Sequence, residues 1–383
     1  MSNFSITEHF AHREWLDDVC TKLHQKMLFA SRKADEVDFI PYTTENGQWK
    51  GLEIDWWTNG FWPATMWQMN WLTGDETYRT AAIRAEKMMD QALENFKVLH
   101  HDVGFMWLIH SGVHYGLEKN QDSFDRTYFA ANLLAGRFNP NGFIRAWNGA
   151  EQQGWSIIDT MMNLPLLYWA SDVTKDPRYR LIAKKHADTA MKHFVRADGS
   201  CNHIVIFDPE TGDFLENPAG QGAFSGSSWS RGQAWALYGF TLSYLCTGKA
   251  EYLETAKRVA NYFITNTADD YIARCDFRQP AECSLKDNAA GACAASALLE
   301  LCQVVPACDA APYFDAAVKM LMAMEQHCID WSFEQPALLT QCTGAYSMPD
   351  SHHITMNYAD FFFVEAIGKL RGEKRLAWIP QRI

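Results

Sequence analysis

The chain has 383 residues, 48% of them hydrophobic and 14% aromatic, including 15 Trp, 14 Tyr and 23 Phe. That composition can bury a large core and excludes intrinsic disorder, while the formal charge of −12 argues against the basic face that nucleic-acid binding needs. No apolar run reaches the length of a membrane span, so neither nucleic acid nor a membrane is expected as a partner.

The first residues show no basic start and no apolar stretch, so no signal peptide is expected. The ten Cys are scattered without a C-x-x-C pair and read as free thiols of a reducing cytoplasm. Residues 14–29 have the pattern of an amphipathic helix, and 37–59 are irregular and aromatic-rich. A helix is expected from about Pro63 to Leu72, then the turn Thr73-Gly-Asp-Glu76, then a helix from about Tyr78 to Phe96. The same unit recurs at Trp169–Tyr179, Leu245–Tyr252 and Val305–Tyr313, and less openly near 123–138 and 287–303. In four of these units an Ala stands four residues beyond the Tyr: Ala82, Ala183, Ala256 and Ala317. A Tyr and a small residue at that spacing share one helix face and allow close packing.

Repeated helical hairpins fit an open solenoid or a closed barrel. Solenoid repeats are shorter and more uniform, and the long Gly- and Trp-rich connections favour an all-α (α/α)6 barrel of six hairpins with loops carrying function at one end. No linker divides the chain, so residues 1–383 are read as one catalytic domain. Residues 199–216 break the helical pattern with β-favouring runs around Asp-Pro-Glu-Thr-Gly and read as a small β-hairpin arm. The loop after it holds Gly220, Gly222 and Gly226 but no Gly-Lys-Ser/Thr, so it is not a phosphate loop.

Four segments mix polar groups with aromatics and glycine: Asp55–Trp62, His100–Trp107, Gly154–Asn163 and Ser228–Trp235. They fall near the starts of successive helices, which would gather them at one rim. Asp159 opens an apolar helix between Ile157-Ile158 and Met161-Met162. It is either a helix N-cap or a desolvated acid. Asp102 stands among apolar residues and is either a loop cap or the second carboxylate of an acid/base pair. Arg231 can pair with a structural Asp or hold a ligand carboxylate, and His203 can be a surface imidazole or a ligand contact. His352-His353 lacks nearby carboxylate spacing, so no metal and no cofactor are expected. The oversupply of Trp suits the flat faces of sugars.

At these segments the chain resembles the unsaturated glucuronyl hydrolases, glycoside hydrolase family 88. The resemblance rests on Trp57-Thr-Asn-Gly-Phe-Trp62, His101-Asp-Val-Gly-Phe105, Ile158-Asp-Thr-Met-Met-Asn-Leu-Pro165 and Ser228-Trp-Ser-Arg-Gly-Gln-Ala-Trp-Ala-Leu-Tyr-Gly239. Tyr358-Ala-Asp-Phe-Phe-Phe-Val-Glu365 also fits. Related unsaturated rhamnogalacturonyl hydrolases tend to carry Arg-Gly-Asn, so Gln233 favours the glucuronyl branch. The resemblance implies the six-hairpin barrel and a substrate with a 4,5-unsaturated uronic acid at its non-reducing end. It implies hydration of that double bond, with Asp159 as general acid/base and Asp102 bonding sugar hydroxyls. His203, Gln221 and Arg231 match substrate-binding positions, and Trp57, Trp147 and Trp235 match aromatic walls. Gly220 stands where some members carry His, and Ser347–Met356 lacks the Lys of members that favour sulfated sugars. A sugar epimerase, an inverting glycosidase on a similar barrel and a non-catalytic helical scaffold are the rival readings.

Overall fold

The computed structural model describes residues 4–383. Twelve long helices dominate it. They are α1 (Arg13–Asp35), α2 (Phe61–Thr73), α3 (Glu76–Met88), α4 (Gly104–Gly112 continued by Val113–Glu118), α5 (Gln121–Gly136) and α6 (Thr160–Thr174). The second half adds α7 (Pro177–His193), α8 (Ser230–Thr247), α9 (Ala250–Asn266), α10 (Asn288–Val304), α11 (Ala307–His327) and α12 (Asn357–Arg371).

The even-numbered helices pack side by side in the order α2, α4, α6, α8, α10, α12, and α12 returns to α2. The odd-numbered helices lie outside this ring. The fold is an (α/α)6 barrel, as the hairpin pattern predicts. The two rings differ for a reason visible in their residues. Every residue of α8 from Ser230 to Ser243 is buried, and a helix apolar on all sides is stable only where protein surrounds it. The outer helices bury one stripe only, and the Tyr–Ala pairs lie on it: Tyr78, Ala82, Tyr179, Ala183, Tyr252, Ala256, Tyr313 and Ala317 are all buried.

Hairpin turns are set by local chemistry. After α2, Gly74 takes a left-handed φ of 72°, and the Asp75 side chain accepts the Thr77 N–H to start α3. After α6, Lys175 turns the chain and Asp176 caps α7, with Pro177 at its first position. Some expected boundaries shift. The helix expected over 78–96 stops at Met88 and breaks into the short turns Asp90–Glu94 and Phe96–Val98. The irregular 37–59 stretch holds a small hairpin pairing Thr43–Glu45 with Gln48–Lys50.

The β-hairpin arm exists but is not isolated. Ile204–Phe207 pairs with Phe214–Glu216 on one side and with Trp155–Ile157 on the other, both antiparallel. The third strand leads directly into α6, so the sheet joins two stretches that the barrel alone would leave apart. All ten cysteines are free. Among the described residues, no helix is long and apolar enough to cross a membrane.

Candidate active site

The inner helices all begin at the same rim, and the four polar-aromatic segments sit there in ring order, at the starts of α2, α4, α6 and α8. Two local devices then place the chemistry. The first is strand pairing. Ile157 pairs with Ile204, and the Ile158 N–H donates to the His203 carbonyl at 3.0 Å. Asp159 and His203 are therefore neighbours, with His203 Nε2 3.5 Å from Asp159 Oδ2. The second is a close helix contact. At Gly104 a Cβ would lie 2.8 Å from the Asn163 Cα, so α4 can approach α6 only with glycine there.

Asn163 uses that contact fully. Its Oδ1 accepts the Phe105 N–H at 2.9 Å. Its Nδ2 donates to Asp102 Oδ1 at 3.0 Å and to the Asp159 backbone carbonyl at 3.2 Å. One amide thus fixes both acidic segments against each other. Sequence reasoning did not single out Asn163. Its signal was position: a polar residue inside the apolar run Met161-Met-Asn-Leu-Pro165.

Asp159 is buried and stands at the start of α6, yet its side chain makes no capping bond, which removes the cap reading. Its Oδ2 and the Nε2 of His203 have no hydrogen-bond partner within the fold. Buried polar atoms without partners are costly and mark places where a ligand completes the bonding. The His203 tautomer follows from its other nitrogen: the Gln221 N–H donates to Nδ1 at 3.0 Å, which leaves the ring proton on Nε2, facing Asp159.

Asp102 is also buried. Burial pushes its carboxyl up, but the imidazoles of His101 and His100 and the Asn163 amide outweigh this and hold it below the usual carboxylate range. Asp102 is therefore a charged group. His101 Nε2 and His100 Nδ1 lie 3.2 and 3.4 Å from Asp102 Oδ2, and His101 Nδ1 is 2.9 Å from Thr160 Oγ1. Burial pushes the His100 imidazole down to about 4.

Arg231 takes the structural-Asp reading. Its Nη1 donates to Asp287 Oδ2 at 2.7 Å and to the Thr343 carbonyl at 2.8 Å, while Nη2 donates to the Gly344 carbonyl. It is 1% exposed and lies between the Trp229 and Tyr358 rings. Asp287 and the two carbonyls take three of its five N–H donors, and Nε is left without a partner. Gln221 Nε2 donates to the same Gly344 carbonyl at 2.6 Å. Arg231 and Gln221 thus anchor the 343–346 loop beside the site.

The aromatic candidates divide. Trp57 and Trp147 are half-buried at the rim, Trp57 against Phe105 and Tyr358 and Trp147 against Trp155. Trp56 turns outward toward Tyr42. Trp235 is wholly buried among Phe105, Tyr358 and Phe362. It backs the wall of the site rather than presenting a face to it. His352 clamps its own loop through the carbonyls of Ala345 and Tyr346.

A ring of inner helices that carries a paired acid site at one rim, faced with Trp, is the framework of a carbohydrate-processing enzyme. Residues 21–279 match the model of Glycosyl Hydrolase Family 88. The unsaturated glucuronyl hydrolase of Bacillus sp. (strain GL1) is 35% identical over 327 residues, 82% of this chain and 86% of that protein. The unsaturated chondroitin disaccharide hydrolase of Streptococcus pyogenes serotype M1 is 30% identical over 340 residues, 86% of this chain and 85% of that one. Among solved structures, unsaturated glucuronyl hydrolase from Streptococcus agalactiae superposes with a TM-score of 0.88 at 25% identity, covering 99% of this chain and 95% of that one. The chain belongs to glycosyl hydrolase family 88, and the protein is a glycoside hydrolase.

Proposed function

We propose that this hydrolase removes the 4,5-unsaturated uronic acid from the non-reducing end of oligosaccharides left by polysaccharide lyases. The whole chain works as one catalytic domain, and its ten unpaired thiols support a cytoplasmic setting. The observation that carries the reading is the pairing of Asp159, whose Oδ2 has no partner but His203 Nε2 at 3.5 Å, with a charged Asp102 held by the same Asn163.

The double bond is an enol ether, with the ring oxygen on C5. Asp159 delivers its proton to C4, and the positive charge appears at C5 and is shared with the ring oxygen. The Asp159 carboxylate then takes a proton from water as the water oxygen bonds to C5. Asp159 is reprotonated, and C5 becomes a hemiketal. The hemiketal opens by breaking the bond between C5 and the ring oxygen. The anomeric carbon is then left as a hemiacetal, which collapses and releases the rest of the oligosaccharide. One residue serves as acid and then base on the same face of the sugar. The Nε2–H of His203 faces the Asp159 carboxyl at 3.5 Å, and Asp102 accepts hydrogen bonds from sugar hydroxyls. Trp57 and Trp147 offer apolar faces to the sugar rings. Gln221, Arg231 and Trp235 shape the wall behind them.

The test follows the ultraviolet absorbance of the conjugated enol ether in lyase-made disaccharides of chondroitin, hyaluronan, heparin and gellan. Loss of absorbance with at least one of them is expected. An unchanged band with all of them removes the proposal.

A further inference from the structure

Asp102 belongs to a constellation of which the proposed reaction uses only the carboxylate. One potential ligand atom from each of His100, His101 and Asp102 lies within 4.8 Å of the other two, and among the described residues no other group of three His, Cys, Asp or Glu side chains meets that condition. Asp102 Oδ2 is 3.4 Å from His100 Nδ1 and 3.2 Å from His101 Nε2. Neither imidazole nitrogen has a hydrogen-bond partner in the fold, although His101 is completely buried. An ion with bonds of about 2.0–2.1 Å in tetrahedral geometry separates its ligand atoms by about 3.3 Å. The two measured separations match that figure.

The surrounding bonds suit the same geometry. Asn163 occupies the other oxygen of Asp102, so Oδ2 is the atom turned toward the imidazoles. Thr160 Oγ1 stands 2.9 Å from His101 Nδ1 and can hold that nitrogen's proton when Nε2 gives its lone pair to an ion. Two imidazoles and one carboxylate form a borderline ligand set. It selects zinc, cobalt, nickel or copper over magnesium and calcium, which take oxygen ligands.

We propose that His100, His101 and Asp102 form a three-ligand site for a divalent transition ion, and that an ion held there inhibits the enzyme by withdrawing the Asp102 carboxylate from the sugar. The site is geometric, whereas its inhibitory consequence rests on the role of Asp102 proposed above. Binding and turnover are therefore measured separately.

Calorimetric titration of the full chain with Zn2+ should show one site per molecule. Its affinity should fall about 10-fold or more in His100→Gln and again in Asp102→Asn. Both changes are near-isosteric, and circular dichroism checks that each variant folds. Co2+ should give the visible band of a low-coordinate complex, absent in Asp102→Asn. In the turnover assay Zn2+ should inhibit and Mg2+ should not, and unsaturated disaccharide should protect. Zn2+ binding that both variants leave unchanged overturns the site. Binding at these residues without inhibition overturns its consequence. A chain inactive on every disaccharide, yet titrating as described, would refute the proposed function and leave the site standing.

Discussion

The backbone N–H of Gln221 donates to His203 Nδ1, and this one bond directs the other face of the imidazole at Asp159. It depends on Gly220. A Cβ there would lie 2.0 Å from His203 Nδ1, and the residue has a φ of +60°. The loop can thus pass directly over the ring. Gly220→Ala must shift either the loop or the imidazole, and its left-handed backbone adds roughly 1–2 kcal/mol of strain. Turnover is expected to fall at least about 10-fold, the effect of misplacing a positioned proton group. Steady-state kinetics on the disaccharide and a thermal melt check it. Wild-type turnover would show that His203 need not be held this way.

Asp159→Asn should separate chemistry from folding. The side chain bonds to nothing within the protein, so stability should stay within about 0.5 kcal/mol of wild type. Turnover should drop by about 10²–10⁴, the worth of general acid/base catalysis. A urea melt and the absorbance assay give both numbers, and retained turnover would remove Asp159 from its role.

Asn163 gives the pH prediction. Asp102 is held below its ordinary value of 3.8, so the folded state gains stability above that range and loses it as pH falls through the depressed value. Removing the Asn163 donor raises the folded-state Asp102 value toward the ordinary one, so the stabilisation is smaller and its loss is complete at a higher pH. The acid limb of kcat/KM in Asn163→Ala should move upward, by about one pH unit for a 1.4 kcal/mol loss of stabilisation. Asn163→Asp retains the acceptor for the Phe105 amide but sets a second carboxyl against Asp102. Its activity should fall further than that of Asn163→Ala near neutral pH. Identical pH profiles for wild type and both variants would exclude the assignment.

Arg231 matches a substrate-binding position by the family resemblance, and in the structure it also pairs with Asp287. Arg231→Ala leaves Asp287, whose carboxyl burial already pushes up, without its partner and frees the Thr343 and Gly344 carbonyls. Loss of one member of a buried pair costs about 3–5 kcal/mol. Chemical denaturation should register that loss, whereas a stability unchanged from wild type with only a higher KM would favour direct uronate binding.

Different layers of this molecule were legible to different degrees. The hairpins could be read because the turn residues Gly74, Asp75 and Asp176 act locally, and the Tyr–Ala spacing marks one helix face. The four rim segments could be located because polar groups stand out in apolar helices. What could not be read was everything fixed by partners distant in the chain. The third strand at Trp155–Ile157 makes sense only once it pairs with Ile204–Phe207. Arg231 could not be assigned without Asp287, 56 positions away. The π-helical winding of Gly104–Gly112 has no sequence signature of its own. Asp159 looked like a cap because caps are defined by position, whereas its bonding is a tertiary property.

Closure of the inner ring bears on how the chain is made. The Asn357 amide that begins α12 donates to the carbonyls of Pro41 and Thr58, 316 and 299 positions earlier. A chain emerging from the ribosome carries both acids and their Asn163 clamp long before it has Asn357. Until then α2 and α10 stand open along apolar flanks that α12 will cover. Contacts of such sequence separation form late, and the uncovered flanks are adhesive while they wait. A product truncated before Asn357 would therefore hold the chemical groups of the site in an open, aggregation-prone shell, so loss of the last helix should reduce yield of soluble protein before it reduces any rate constant.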